Sequence, residues 1–273
     1  MTYCIGVMLD KGMIFASDSR TNAGLDNIAK FCKMTVFERR GDRVIVLLSS
    51  GNLAGTQAVI GMLNQRCAVG DVAASLWGAR TMFDVAMRVA DAMRDIERRD
   101  GEYLQESEVS FNASFIVGGQ IRGESLRLFR IYAEGNFIEA GLDTPYFQTG
   151  ETKYGKPIID PVITRSTPLA DATKCVLVSF DSTMRSNLSV GMPIDLICYE
   201  QGSLEVQTAL SPEARRTVER LDRAVRRLGW MVAAAALLVA AAVLRAAAPA
   251  DWLPLGLMAL AAAVFLAGLV LGR

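Results

Sequence analysis

Residues 2–18, Thr-Tyr-Cys-Ile-Gly-Val-Met-Leu-Asp-Lys-Gly-Met-Ile-Phe-Ala-Ser-Asp, read as strand, tight turn, strand. Apolar runs flank Asp10-Lys11-Gly12, which is hairpin chemistry. The hairpin begins at Thr2, behind only an initiator methionine. A residue as small as threonine at that position permits removal of the methionine. Thr2 then carries a hydroxyl and a free α-amine together. A threonine hydroxyl with the terminal amine as its own base is one way to make a nucleophile.

The remaining pattern alternates strands with helix pairs. A polar loop is expected over 21–27, then strands over 34–38 and 44–48 around an Arg40-Gly41-Asp42-Arg43 turn. Helices follow over 53–68 and 75–98, the second with a 3.6-residue apolar stripe and a stop at Gly101. A strand over 111–117, a turn at Gly118-Gly119, and strands over 125–132 and 137–140 form a meander. A short helix over 151–162 is interrupted by prolines, and a better one over 170–186 has Leu177, Val178 and Met184 facing inward. Strands over 193–199 and 204–208 close with a hairpin at Gln201-Gly202. This order predicts an α+β fold, an αββα four-layer sandwich of two antiparallel sheets between helix pairs.

The chain has no histidine, which removes Ser-His-Asp and Cys-His catalysis and His-ligated zinc. A nucleophile here must be activated by lysine, a carboxylate or a terminal amine. Five cysteines, none in a CxxC pair, read as reduced and mostly buried thiols. Acidic and basic residues balance at 29 each, so no field argues for nucleic acid. No P-loop and no metal cluster stand out, and no cofactor is expected. The front of the chain lacks the pattern of a signal peptide.

The composition changes near residue 211. Residues 2–209 read as the globular domain, 210–227 as a charged helical linker, and 228–272 as a hairpin of two transmembrane helices. The runs 228–244 and 252–272 contain no charged residue. The second spans about 30 Å as a helix, enough for a bilayer core. Six arginines lie between Arg215 and Arg227, ahead of the first run. They place the globular domain and both termini on the cytoplasmic side of an inner membrane.

Four features converge on a hydrolase. Thr2 is the candidate nucleophile. Asp18 ends the strand returning beside it. Lys33 stands before the next strand, where a cation would favour the Thr2 alkoxide; Lys30 could serve instead. Gly51, at a strand-to-helix turn, could turn its N–H toward an oxyanion. Each has an ordinary reading: a chance threonine, a solvated turn acid, a surface lysine, a helix-entry glycine.

These positions resemble the proteasome β-subunit family, and more closely its bacterial branch, Anbu. Thr2, Ser-Asp-Ser-Arg at 17–20, Lys33 and Ser-Ser-Gly at 49–51 carry the first likeness. Thr-Asn-Ala-Gly at 21–24, Asp-Asn-Ile at 26–28, Gly-Glu-Thr-Lys-Tyr-Gly-Lys-Pro at 150–157 and Ser-Phe-Asp-Ser-Thr-Met-Arg-Ser-Asn-Leu-Ser-Val-Gly at 179–191 carry the second. The resemblance covers residues 2–209. It implies an N-terminal-nucleophile hydrolase fold, a peptide or amide substrate, and self-assembly into a ring or an open helical turn. It also implies that Lys33, held by Asp18, tunes Thr2, that Gly51 serves the oxyanion, and that the terminal amine is held by residues drawn from Asp181, Ser186 and Ser189. Glu151 stands where many relatives carry serine, and the membrane hairpin is an addition to the family pattern. The alternative to a threonine peptidase is a non-catalytic, membrane-anchored assembly scaffold.

Overall fold

A computed structural model describes residues 2–23, 27–106 and 111–206, and not the side chains of 21–29 and 104–105. The opening hairpin is β1 (Tyr3–Leu9) and β2 (Gly12–Asp18), and every residue of both strands is buried. Strands without a solvent face need cover on both sides, which fixes the layering.

Residues 21–23 and 27, at the two ends of the expected 21–27 loop, are strand residues. β3 (Arg20–Ala23) and β4 (Asn27–Lys30) pair as a two-stranded ribbon. β5 (Met34–Arg39) and β6 (Arg43–Gly51) follow, then α1 (Leu53–Val69). Asn52 caps α1 by accepting the Gly55 N–H at 3.1 Å, and Gly70 ends it in the left-handed region at φ +77°.

The next helix is shorter at its front and longer at its end than the sequence suggests. A 3-10 turn takes Leu76–Gly78, and α2 is Met82–Glu106. Thr81 and Asp84 cap it reciprocally: Thr81 Oγ1 accepts the Asp84 N–H at 3.1 Å, and Asp84 Oδ2 accepts the Thr81 N–H at 3.0 Å. Gly101 does not stop the helix, because a glycine inside a well-packed helix costs only about 1 kcal/mol.

β7 (Ala113–Ile121) runs straight through Gly118-Gly119, which is no turn. The pair is there for close approach: a Cβ at Gly118 would stand 2.7 Å from Leu128 and 2.8 Å from Met13 and Phe15. β8 (Arg127–Ile131) and β9 (Phe137–Glu139) complete the meander. β10 (Tyr146–Gly150) is a strand the sequence reading lacks. α3 is a single turn, Lys156–Ile159, and α4 is Leu169–Ser186. The buried stripe of α4 runs through Ala172, Val176, Phe180 and Thr183, while Val178 is 44% exposed. β11 (Ile194–Glu200) pairs with β2, and no partner strand follows it over the described residues 204–206.

The sheets order as β10-β1-β2-β11 and β5-β6-β7-β8-β9, with all pairings antiparallel. Alternate residues define three cores. Cys4, Met8, Met13 and Phe15 meet Val44, Val46, Leu48, Ile116 and Leu128 between the sheets. Tyr3, Ile5, Val7 and Ile14 pack on Ile159, Ala172, Val176 and Phe180 of α3 and α4. Ile45, Leu47, Phe115, Val117 and Phe129 pack on α1 and α2. Among the described residues no helix is long and apolar enough to cross a membrane. The linker at 210–227 and the hairpin at 228–272 lie outside the described residues.

Candidate active site

Thr2 is held by its neighbours' strand pairing. Tyr3 is opposite Gly150 in the β1–β10 ladder, and the Glu151 N–H donates to the Thr2 carbonyl at 2.7 Å. The Tyr3 hydroxyl is buried against Ser179 Oγ at 3.0 Å and Gln148 Nε2 at 2.6 Å, which pins the strand at its first residue.

The Tyr3 N–H, on the peptide that leaves Thr2, donates to Asp18 Oδ1 at 3.0 Å. The same oxygen accepts Lys33 Nζ at 2.8 Å. The ammonium is therefore separated from the Tyr3 nitrogen by no more than the sum of those two lengths. Lys33 also donates to the Arg20 carbonyl at 2.5 Å. Its own carbonyl accepts the Ser49 N–H at 2.9 Å, so the segment before β5 is tied to β6. Side-chain exposure is 7% for Lys33 and nil for Asp18. This is a buried ion pair, unlike the surface lysine of the ordinary reading. Burial pushes the Asp18 carboxyl above its usual value, against the pull of Lys33, Tyr3 N–H and Gly191 N–H. Asp18 Oδ2 and Ser17 Oγ are buried with no hydrogen-bond partner among the described residues.

Gly51 closes β6 one residue before the Asn52 cap. Its φ is +103°, and a Cβ there would fall 1.7 Å from the Asn112 carbonyl oxygen. Only glycine fits, and the reason is backbone geometry. Gly51→Ala is expected to lower stability by more than the ~1–3 kcal/mol of a strained backbone position, measured by denaturant unfolding. A loss within about 0.5 kcal/mol would show that the turn can relax.

Thr2 and Gly51 line one cavity of about 830 Å³, with Arg20, Ser50, Leu53, Ser114, Arg130, Thr149 and Gly150 also on its wall. Cys4, close to the Asp18–Lys33 pair, is no rival nucleophile. It is fully buried, and burial pushes its thiol far above the ordinary range.

The late block is only partly at the site. Asp181 pairs with Arg185 at 2.9 Å along α4, and Ser186 is exposed. Ser189 is half-buried in the loop after α4, its N–H donating to Asn187 Oδ1 at 2.9 Å. Asn187 in turn donates to Glu151 Oε2 at 2.8 Å. The loop thus reaches Thr2 through Asn187 and the buried Glu151. Asn187, and Arg20 donating to the Leu188 carbonyl at 3.1 Å, are contacts the sequence reading did not name. Asn187 stands two residues before Ser189, where an Asx turn is legible. Among the described residues no group of three His, Cys, Asp or Glu side chains is placed to hold a metal ion.

No protein-family model matches the chain, and no curated protein does. Solved structures do match. Anbu (ancestral beta-subunit) from Yersinia bercovieri is 47% identical, covering 75% of this chain and 84% of that one, with a TM-score of 0.70. The chain belongs to the Anbu family. Anbu from Hyphomicrobium sp. strain MC1 is 45% identical over 83% of this chain and 96% of its own, with a TM-score of 0.69. The helical assembly of the Anbu complex from Pseudomonas aeruginosa is 44% identical over 82% and 96%, with a TM-score of 0.70. The resemblance read from the sequence is correct, and so is the proteasome-related, N-terminal-nucleophile type of fold that Anbu carries.

Proposed function

We propose that this Anbu-family chain is an N-terminal threonine peptidase or amidohydrolase whose nucleophile, Thr2, is freed by loss of Met1. The observation that carries the reading is the shared Asp18 oxygen, which locks the Lys33 ammonium beside the peptide that follows Thr2. In the proposed reaction Thr2 Oγ1 attacks the scissile carbonyl, and its proton passes to the α-amine, directly or through a water. The Lys33 charge favours the alkoxide. The Gly51 N–H donates to the tetrahedral oxyanion. The amine then protonates the leaving nitrogen, the C–N bond breaks, and an ester on Thr2 remains for water to hydrolyse. Ser189 would orient the amine through the loop it shares with Asn187.

The test is intact-mass measurement of the purified protein with and without an epoxyketone. The expected result is loss of the Met1 mass and one adduct per chain. Retained Met1 blocks the amine and leaves the scaffold reading.

The relative from Pseudomonas aeruginosa forms a helical assembly. Self-assembly of this chain, as a ring or an open helical turn, is proposed on that basis. The apolar runs of 228–272 support a membrane tether, with the globular domain and both termini in the cytoplasm. The full chain is expected to sediment with membranes and to resist high-salt extraction, and truncation after residue 209 is expected to release it. A full chain that stays in the supernatant would overturn the tether.

A further inference from the structure

The facing sides of the two sheets turn polar toward the end that carries Thr2. Leu48, Ile116, Leu128 and Phe147 all belong to the core between the sheets. Two positions along each strand toward Thr2, the same face carries Ser50, Ser114, Arg130 and Thr149. Ser50 and Ser114 face each other across one rung, Arg130 stands opposite Ile116 on the adjacent rung, and all four residues line the cavity that Thr2 lines.

The three hydroxyls close a triangle: Ser50 to Ser114 at 2.9 Å, Ser50 to Thr149 at 2.6 Å, Ser114 to Thr149 at 2.8 Å. A closed ring spends each O–H on the next oxygen. Opening one edge frees one donor toward the cavity. Arg130 Nε is buried with no hydrogen-bond partner among the described residues. Its guanidinium lies over the Tyr132 ring at 5.0 Å. A buried N–H without an acceptor is a cost that a suitable guest removes. Arg20 and Arg130 make no ion pair with another described residue. The carboxylate on the cavity wall, Glu134, is exposed and screened by water.

We propose that this cleft-end cluster is a specificity pocket for a carboxylate, either an acidic side chain of the substrate or the substrate's own terminal carboxylate. One oxygen would accept from the Arg130 guanidinium and the other from the hydroxyl released by the triangle. A cationic guest would face two guanidiniums, an apolar one would leave Arg130 Nε unanswered, and a neutral acceptor would leave the guanidinium charge unpaired. The proposal rests on the reading of Thr2 as nucleophile, since the bound carboxylate then holds a substrate beside the attacking hydroxyl.

The test is fluorescence anisotropy on the full chain carrying Thr2→Ala, so that binding is read without turnover. The probes are fluorescein-labelled alanine peptides with an amidated end, the same peptides with one glutamate or one lysine moved through each position, and the alanine peptide with a free carboxylate. Either one glutamate position or the free carboxylate is expected to bind at least about tenfold tighter than the amidated alanine peptide. Whichever arm gains identifies the source of the carboxylate. Adding Arg130→Gln is expected to erase the gain, and Arg130→Lys, which keeps the charge without the fork, is expected to lose most of it. The second variant decides the matter if the first does not fold. Equal binding of all probes, no binding, a lysine preference, or a carboxylate preference that survives both substitutions would overturn the pocket. Hydrolysis by the unsubstituted chain without carboxylate preference sinks the pocket alone. Carboxylate preference without hydrolysis sinks the nucleophile alone.

Discussion

Thr2→Ala is expected to cut peptide hydrolysis by at least about 10³-fold and to abolish the epoxyketone adduct, while the melting temperature and assembly stay unchanged. The reasoning is local. The Thr2 carbonyl is held by the Glu151 N–H and the next amide by Asp18, so the backbone keeps its place without the hydroxyl. Alanine keeps the amine and removes Oγ1 together with the Cγ2 methyl. Thr2→Ser keeps the amine and the hydroxyl and should retain measurable turnover and the adduct, which separates loss of the attacking atom from loss of the fold. Residual hydrolysis near the parent rate in Thr2→Ala would move the chemistry elsewhere. Cys4 would not inherit it, because a thiol buried at that depth carries too little thiolate.

The legible part of this molecule was what local pattern controls. The hairpin at 2–18 has turn residues between two apolar runs, and both strands stand where the pattern puts them. Asp18 and Lys33 were visible as residue types at strand ends, though nothing local could say that the pair is buried. That depends on Ser49 and Arg20 fixing the segment around Lys33. Gly118-Gly119 misled because glycine serves two purposes. Here it admits Met13 and Phe15 from the facing sheet, a contact across more than one hundred positions that no window can contain. β10 was hidden for a related reason: its ladder partner is β1, at the other end of the domain. Within the late block, Asp181 looked as eligible as Ser189. The i,i+4 spacing of Asp181 and Arg185 already pairs them along α4, whereas only the fold leaves the following loop beside Glu151. The polar cleft-end cluster was beyond reach altogether, since Ser50, Ser114, Arg130 and Thr149 come together on two neighbouring rungs only through register and the packing of the two sheets.

Lys33→Met is expected to cost about 3–5 kcal/mol of stability at neutral pH and to remove nearly all activity. Methionine nearly matches the lysine stem in volume, so the loss is chiefly electrostatic. It leaves Asp18, with no exposed surface, without its cation. Burial already holds the Asp18 carboxyl above its ordinary 3.8, and without Lys33 it must rise further. A carboxyl with a raised folded value binds its proton more tightly when folded than when unfolded. Its contribution is full below the ordinary value and is lost as pH rises through the raised one. The deficit of Lys33→Met relative to the parent should therefore be largest above the raised value and should shrink on acidification, as Asp18 takes a proton and the buried charge disappears. Urea unfolding at several pH values measures this directly. Adding Asp18→Asn should recover much of the stability at neutral pH and none of the activity, because the neutral pair packs but no longer presents a cation to Thr2. A deficit that is flat with pH would mean that Lys33 matters only as packing, and the electrostatic account of the nucleophile would fall with it.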